Sequence, residues 1–407
     1  MSTGAGTGPG DDDDVPTMEC QVCEMDVPAG AFCGYCGDHL ESDRRRGPRW
    51  LRQDTFGAAP NESVLLPAIA SSLFPHLPQR SRTPFRVGLA LVLVGLVGFA
   101  FLKIPPALIT VAALGLPLLF VLYVSESAVY RDMSVWSMVL AATLAAALGV
   151  GWVLLTGEMV ARAYGVPMAA GLAIHHVLRE GVLIPAGGMI LMLVPTVVVR
   201  LLRPKSRESL DGFVIGALSA LMFSAAATLT RLAPQFATGL LAHNRPLKGL
   251  LVEAIISGLT IPLTAAVAGG MIGIALWFKG QTGNPHEHPG RIRAALYALA
   301  ILVVLVHVGV AVTDIVGMEQ LRMLIVHVVM TAVVLVMLRI SLQLALIHEA
   351  HDPVEQDEPL LCVHCEHVVP DMAFCPACGV ATRASSRASR EERRESRPVR
   401  QVATEGS

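Results

Sequence analysis

Between Phe85 and Ile347 the chain is a succession of apolar runs, and this limits the available folds more than anything else in it. In hydrocarbon every peptide N–H and C=O must be satisfied within the protein, so a run of about 18 or more apolar residues reads as a spanning helix. Eight runs meet that length: Phe85 to Leu102, Pro105 to Val124, Val135 to Leu155, Leu183 to Leu202, Gly212 to Leu232, Leu250 to Phe278, Ala294 to Val312 and Leu321 to Ile347. The run from Ala169 to Leu178 is too short and reads as an interfacial or re-entrant helix. The expected fold class is therefore an all-α polytopic membrane bundle. Only 16% of the 407 residues are charged, well below the usual quarter of a soluble domain.

An even number of crossings puts both ends on one side. Arg80, Arg82, Arg86, Arg131, Arg200, Arg203, Lys205, Arg207, Lys279, Arg291 and Arg293 lie in the segments on that side. Lys103, Arg162, Arg179, Arg231, Arg245, Lys248 and Arg322 lie opposite. The excess predicts a cell (cytoplasmic) membrane protein with cytoplasmic termini. The Gly-rich acidic start lacks the basic and apolar segments of a cleavable signal. Heavy use of Ala, Gly, Val and Arg suggests a bacterial source.

A second feature flanks the bundle. Cys20, Cys23, Cys33 and Cys36 recur with identical spacing as Cys362, Cys365, Cys375 and Cys378, and these are all eight cysteines of the chain. The repeat extends to Glu24, Val27, Pro28, Ala31, Phe32 and Gly37, which return as Glu366, Val369, Pro370, Ala373, Phe374 and Gly379. Paired Cys-x2-Cys knuckles fit tetrahedral zinc, and each cassette resembles a short zinc ribbon. Four thiolates leave no open position, so two structural Zn2+ ions are expected and no hydrolytic metal. A rubredoxin-type iron site would use the same ligands, and disulfides are a third reading. Thiolates suit a reducing compartment, in agreement with the charge asymmetry. A module of about 20 residues cannot bury a useful core, so metal must supply most of its folding energy. Phe32 and Phe374 are expected to form a small apolar patch over each metal loop. Neither cassette has a basic stripe with interleaved aromatics, so protein partners are expected through the ribbons and nucleic acid is not. The basic run from Arg44 to Arg49 reads as a solvated juxtamembrane segment, with phosphate or anionic lipid as the alternative.

Ionisable groups at bilayer depth are functional candidates. His307 and His327 can form a proton relay or metal pair if their helices face each other, or serve as packing hydrogen bonds. Glu253, Asp314 and the loop groups Glu126, Arg131, Asp132, Glu158, His175, His176, Arg179 and Glu180 complete the set. His348-Glu349-Ala350-His351 has the wrong spacing for a metalloprotease and reads as a wet juxtamembrane turn. Gly269, Gly270, Gly273 and Ala225 to Ala227 favour close helix approach.

The segment Asp211-Gly212-Phe213-Val214-Ile215-Gly216-Ala217, followed by Leu221-Met222-Phe223, resembles the PrsW-type glutamic intramembrane proteases, over about Ile184 to Ile274. The resemblance implies a helical membrane domain with catalytic carboxylates in two places and a histidine in a third. Where the family carries Glu-Glu-x-x-Lys this chain reads Pro185 to Met192, and where Glu-Asn follows it reads Ser224 to Thr228. A later histidine position falls in Leu259 to Gly270, which has none. Without a carboxylate no general base is carried over, and no catalytic residue is assigned.

The expected organisation is a disordered acidic segment at 1–17, a ribbon at 18–40, a linker at 41–84, the membrane domain at 85–348, an acidic linker at 349–359, a ribbon at 360–382 and a disordered Arg/Ser/Glu-rich tail at 383–407. The expected role is a membrane scaffold or regulatory protein. A PrsW-type protease using Glu158, Glu180 or Glu253, and a proton-coupled transporter using His307, His327 and Asp314, are the alternatives.

Overall fold

The computed structural model describes residues 16–40, 51–53, 55–75, 79–127, 129–163, 182–202, 208–237, 246–280, 289–315, 319–350 and 352–398, without the side chains of 79–82, 158–163, 311–315 and 357. Among the described residues eight helices are long and apolar enough to cross a membrane. In chain order they are α1 Gln79–Phe101, α2 Pro105–Glu126, α3 Val135–Ala163, α4 Ile184–Leu201, α5 Ser209–Leu232, α6 Leu247–Trp277, α7 Pro289–Ile315 and α8 Gln320–His348. Each covers one of the eight apolar runs, shifted by a few residues at its ends. The run from Ala169 to Leu178 lies outside the described residues.

The bundle is organised around α5 and α6, the most enclosed pair, while α1 and α7 turn most of their surface outward. Glycine makes that centre possible. Gly212 and Gly216 on α5 meet Gly273 and Gly269 on α6, each pair in a small-xxx-small register. A Cβ on Gly216 would stand 2.0 Å from the Gly269 carbonyl oxygen, and one on Gly273 would be closer still to that of Gly212. The backbones are thus in contact, with Phe213 lying over Gly270. The Asp211-Gly212 motif has a local role as well: Glu208 and Asp211 form a capping box at the start of α5. α6 is interrupted by a π-helical turn at Ile256–Thr260.

The ends are not purely helical. β1 (Thr17–Glu19) pairs antiparallel with β2 (Asp26–Pro28), and β3 (Glu355–Leu361) with β4 (Val368–Asp371). Both four-cysteine modules lie at the same face of the bundle and touch through residues 30–37 of the first and 372–379 of the second.

Three polar segments differ from expectation. Residues 51–75, read as linker, fold onto α8 and bury Leu51, Phe56, Val64, Leu73 and Phe74. Their anchors are two polar residues inside the eighth span. Arg339, fully buried, donates to Glu62, Ser71 and the Ser63 carbonyl at 3.1, 2.7 and 3.0 Å, with its guanidinium 4.2 Å from the Phe56 ring centroid. Gln343 accepts from the Gly57 N–H and donates to the Arg52 and Thr55 carbonyls. The tail, expected to be disordered, forms helix α9 (Arg387–Glu395), whose N-terminus Asp132 caps by accepting from the Arg387 and Ala388 N–H groups at 2.5 and 2.6 Å. The turn at Glu349 is dry: this carboxylate is 3% exposed and accepts from the N–H and hydroxyl of Ser209. Residues 1–15 and 399–407 lie outside the described residues.

The α5–α6 crossing yields a direct test. Gly216→Ala should destabilise the bundle by about 1–3 kcal/mol through overpacking. Gly309→Ala, where a Cβ meets nothing within 4 Å, should leave it unchanged or slightly better. Thermal unfolding in detergent compares the two, and equal stability would contradict the backbone contact.

Candidate metal centres and intramembrane cavity

Each cassette folds by the same local rules. The Glu24 N–H returns to the Cys20 carbonyl at 2.8 Å and the Gly37 N–H to that of Cys33 at 2.7 Å; Glu366 to Cys362 and Gly379 to Cys375 repeat this at 2.8 Å. Closing these knuckles takes a left-handed residue, with φ of 71° at Gly37 and 75° at Gly379, and of 57° and 59° at Glu24 and Glu366.

The result is two groups of four sulfurs, Cys20, Cys23, Cys33 and Cys36, and Cys362, Cys365, Cys375 and Cys378. Sulfur separations are 3.7 Å for Cys20–Cys36 and Cys23–Cys33, 3.8 Å for Cys362–Cys378 and 3.9 Å for Cys365–Cys375. A tetrahedron with metal–sulfur bonds of about 2.3 Å has edges of about 3.8 Å, whereas a disulfide needs about 2.05 Å. The donor set fits a metal ion and excludes disulfides in this arrangement. Electrostatics agrees. Burial and the neighbouring sulfurs push the Cys23 thiol above its ordinary value, the repulsion expected where four sulfurs crowd without a cation. Four thiolates this close need a cation.

The two ribbons then complete each other. The Phe32 N–H donates to the Pro376 carbonyl at 2.9 Å, and the Phe374 N–H to that of Gly34 at 2.8 Å. Because Gly34 and Pro376 occupy equivalent positions in the repeat, the pair is related by a pseudo-twofold. The rings are exchanged too: Phe374 lies over Gly37 and Phe32 over Gly379, so close that a Cβ would stand 2.5 and 2.7 Å from them. The expected patch over each ribbon's own metal loop is instead the contact with the other ribbon.

Arginine fastens this paired cap to the bundle. Arg390, 3% exposed, bridges Glu208 at 2.6 Å and Asp352 at 3.0 Å, and Arg394 pairs with buried Asp371 at 2.8 Å. Burial would raise the Asp352 pKa, but Arg390 and Arg383 hold it below the ordinary carboxylate value. Arg383 lies 3.7 Å from Glu349. For Glu349 burial prevails over Arg383 and Ser209 and pushes the carboxyl up to about 7.

A cavity of about 330 Å³ lies in the bundle, away from the cap. His307 of α7 and His327 of α8 both line it, so the two histidines do converge. His327 is buried, with Nδ1 3.4 Å from the Thr260 hydroxyl in the π-helical turn. The cavity also takes in Gly188, Met189 and Met192, then Ser224 and Thr228, then Thr264 and Ala265. These are the three stretches in which the resemblance places the missing catalytic groups. Trp152, packed on Gly187 and Gly188, and Arg231 line it as well. Run length alone places Arg231 among the loop charges and gives Trp152 no role, because helix facing is invisible without packing.

The other candidates are dispersed. Glu253 lines a small adjoining crevice with Gln235, and that crevice shares Leu232 and Ser257 with the cavity. Glu126 is exposed at the end of α2, whereas Arg131 pairs with Glu392. The side chains of Glu158 and Asp314, and residues His175, His176, Arg179, Glu180 and His351, lie outside the described residues, as does the basic run to Arg49.

Two measurements follow. The purified chain should carry two metal ions, and Cys375→Ser should leave one; a metal-free preparation that keeps both hairpins would refute the sites. Raised from an ordinary 4.5, Glu349 favours the folded state fully below that value, and this contribution fades as pH rises through about 7. It amounts to about 3 kcal/mol. Glu349→Gln should flatten that part of the stability profile between about pH 4.5 and 7, read by thermal unfolding, and an unchanged slope would contradict it.

No family model matches the chain, and no curated protein or solved structure matches it either.

Proposed function

We propose that the protein is an integral membrane scaffold or regulatory protein of the bacterial cytoplasmic membrane, with two cytosolic structural zinc ribbons on a PrsW-like bundle that lacks catalytic glutamates. One observation carries this reading. The three stretches where the resemblance expects catalytic groups meet at a single cavity, and there they present glycine, methionine, serine and threonine. Water in such a cavity has no carboxylate base among its described lining residues. The closed four-sulfur sites point the same way, since a cation held there has no open position for substrate.

The ribbons use their phenylalanine faces on each other, so a protein partner has to meet the outer surface of the cap. Leu361 and Val368 are paired across β3 and β4 there, 46% and 57% exposed. The equivalent positions in the first ribbon are Glu19 and Asp26, so the two outer surfaces differ in chemistry. A cytosolic partner with an apolar contact fits the second ribbon. A photoreactive residue at Leu361 in cells should capture one reproducible protein neighbour, lost in Val368→Glu and absent from the same probe at Glu19. Failure to capture any neighbour at Leu361 would count against a scaffold.

Proton-coupled transport, the second reading, draws support from His307 and His327 sharing one cavity. Intramembrane proteolysis would have to draw on Glu253, which is not among the described residues lining the cavity but lines the crevice adjoining it.

A further inference from the structure

We propose that the intramembrane cavity is a binding site for an anionic amphiphile, a molecule with a carboxylate or phosphate group on a hydrocarbon body. Position is the first argument. α5 starts at Ser209, which the Glu349 carboxylate ties to the cap, and Arg231 is 22 residues along, about 33 Å away. Arg231 therefore stands at the membrane face opposite the cap, exposed at the rim of the cavity. His327 lies in the first turns of α8, at the same face. The site is thus open to the headgroup region at one end and to the bundle interior at the other.

Chemistry is the second argument. The described polar lining consists of the Arg231 guanidinium, two imidazoles and hydroxyls such as Thr228, with no carboxylate among them. That set donates to an anion and disfavours a metal cation. The same lining includes Trp152, Met192 and Phe223, apolar surface that a free inorganic ion cannot use. The π-helical turn at Ile256–Thr260 brings Ser257 to the lining and Thr260 to His327, a local irregularity of the kind that recurs at binding sites.

Size is the third. At about 330 Å³ the cavity is at the small end of the range of about 300–1,000 Å³ for ligand pockets. One turn of a helix about 10 Å across already occupies roughly 400 Å³, so a partner's transmembrane helix does not fit. A headgroup with part of one chain does. The site stands independently of whether the protein scaffolds or transports.

Trp152 supplies the readout. The full chain carrying Trp136→Phe, which removes the 81% exposed tryptophan, is reconstituted in nanodiscs and titrated with dibromostearate, its methyl ester, a brominated alkyl phosphate and inorganic phosphate. Trp152→Phe identifies the signal from the cavity. The charged amphiphiles should quench Trp152 saturably, with at least tenfold weaker binding of the ester. Arg231→Gln and His307→Asn should each weaken the charged probes about tenfold and leave the ester unaffected. Ala227→Leu should fill the cavity and abolish saturation. A preference between the two brominated acids distinguishes a carboxylate from a phosphate ligand. Linear quenching alike for acid and ester, or competition by inorganic phosphate as effective as by the amphiphiles, would overturn the proposal. Metal content and melting temperature confirm that each variant is folded; if Arg231→Gln and His307→Asn both misfold, Arg231→Lys, which keeps the charge, has to retain acid binding or the proposal fails.

Discussion

A four-sulfur metal loop of some twenty residues is firmly stapled and almost coreless. Metal supplies on the order of 10 kcal/mol to such a module, but it leaves the aromatic residue beside the knuckle uncovered. In this chain the repeat resolves that deficit internally. Phe32 needs a surface with no Cβ in its way, and Gly379 of the other copy offers one; Phe374 finds the same at Gly37. The reciprocal backbone bonds at Gly34 and Pro376 then fix the register. Most of the architecture follows from that contact. Two ribbons that must meet require both ends of the chain at one face, hence an even number of crossings between them. The metal knuckles must also keep glycine at both positions, since the left-handed conformation and the ring contact each exclude a side chain.

Joining the cap to the bundle raises a different physical problem, because charges at a membrane boundary are costly unless paired. Arg390 and Arg339 solve it in the same manner, each buried with a carboxylate and with further acceptors: Arg390 bonds through Nε and both terminal nitrogens, Arg339 through its two terminal nitrogens. Removing one partner from such a pair costs about 3–5 kcal/mol, more than the gain from forming it, so these contacts act mainly to fix geometry. Arg339 holds residues 51–75 against the eighth span, and Arg390 holds the second ribbon and its tail against the start of α5.

The apolar runs and the cysteine spacing were legible because both signals are local. Eight spans follow from run length, and two metal groups from the repeat, without any knowledge of packing. What stayed hidden was carried by partners far apart in sequence. The segment around Arg390 has the composition of a disordered tail, yet its order depends on Glu208 and Asp352, and its helix start on Asp132. Arg339 was the missed clue. A buried arginine inside an otherwise apolar run requires a counter-charge, and Glu62, 277 residues away in the supposed linker, supplies it. The Asp211-Gly212 segment was noticed as a motif, and its structural work is a capping box followed by backbone contact with α6.

The metal cap and the cavity occupy opposite ends of the same helix. α5 begins where Glu349 grips Ser209 and ends beside Arg231 on the cavity rim, and its first turns carry the glycine contact with α6. Backbones packed this closely leave no void between the two helices at that crossing. α6 contributes the π-helical turn at the far end of that same contact, beside His327, where the helix is least regular. Rigidity thus lies at the glycine crossing and irregularity at the cavity. The polar rim, the apolar wall and the fastened cap accordingly belong to one mechanical unit, with α5 as its axis.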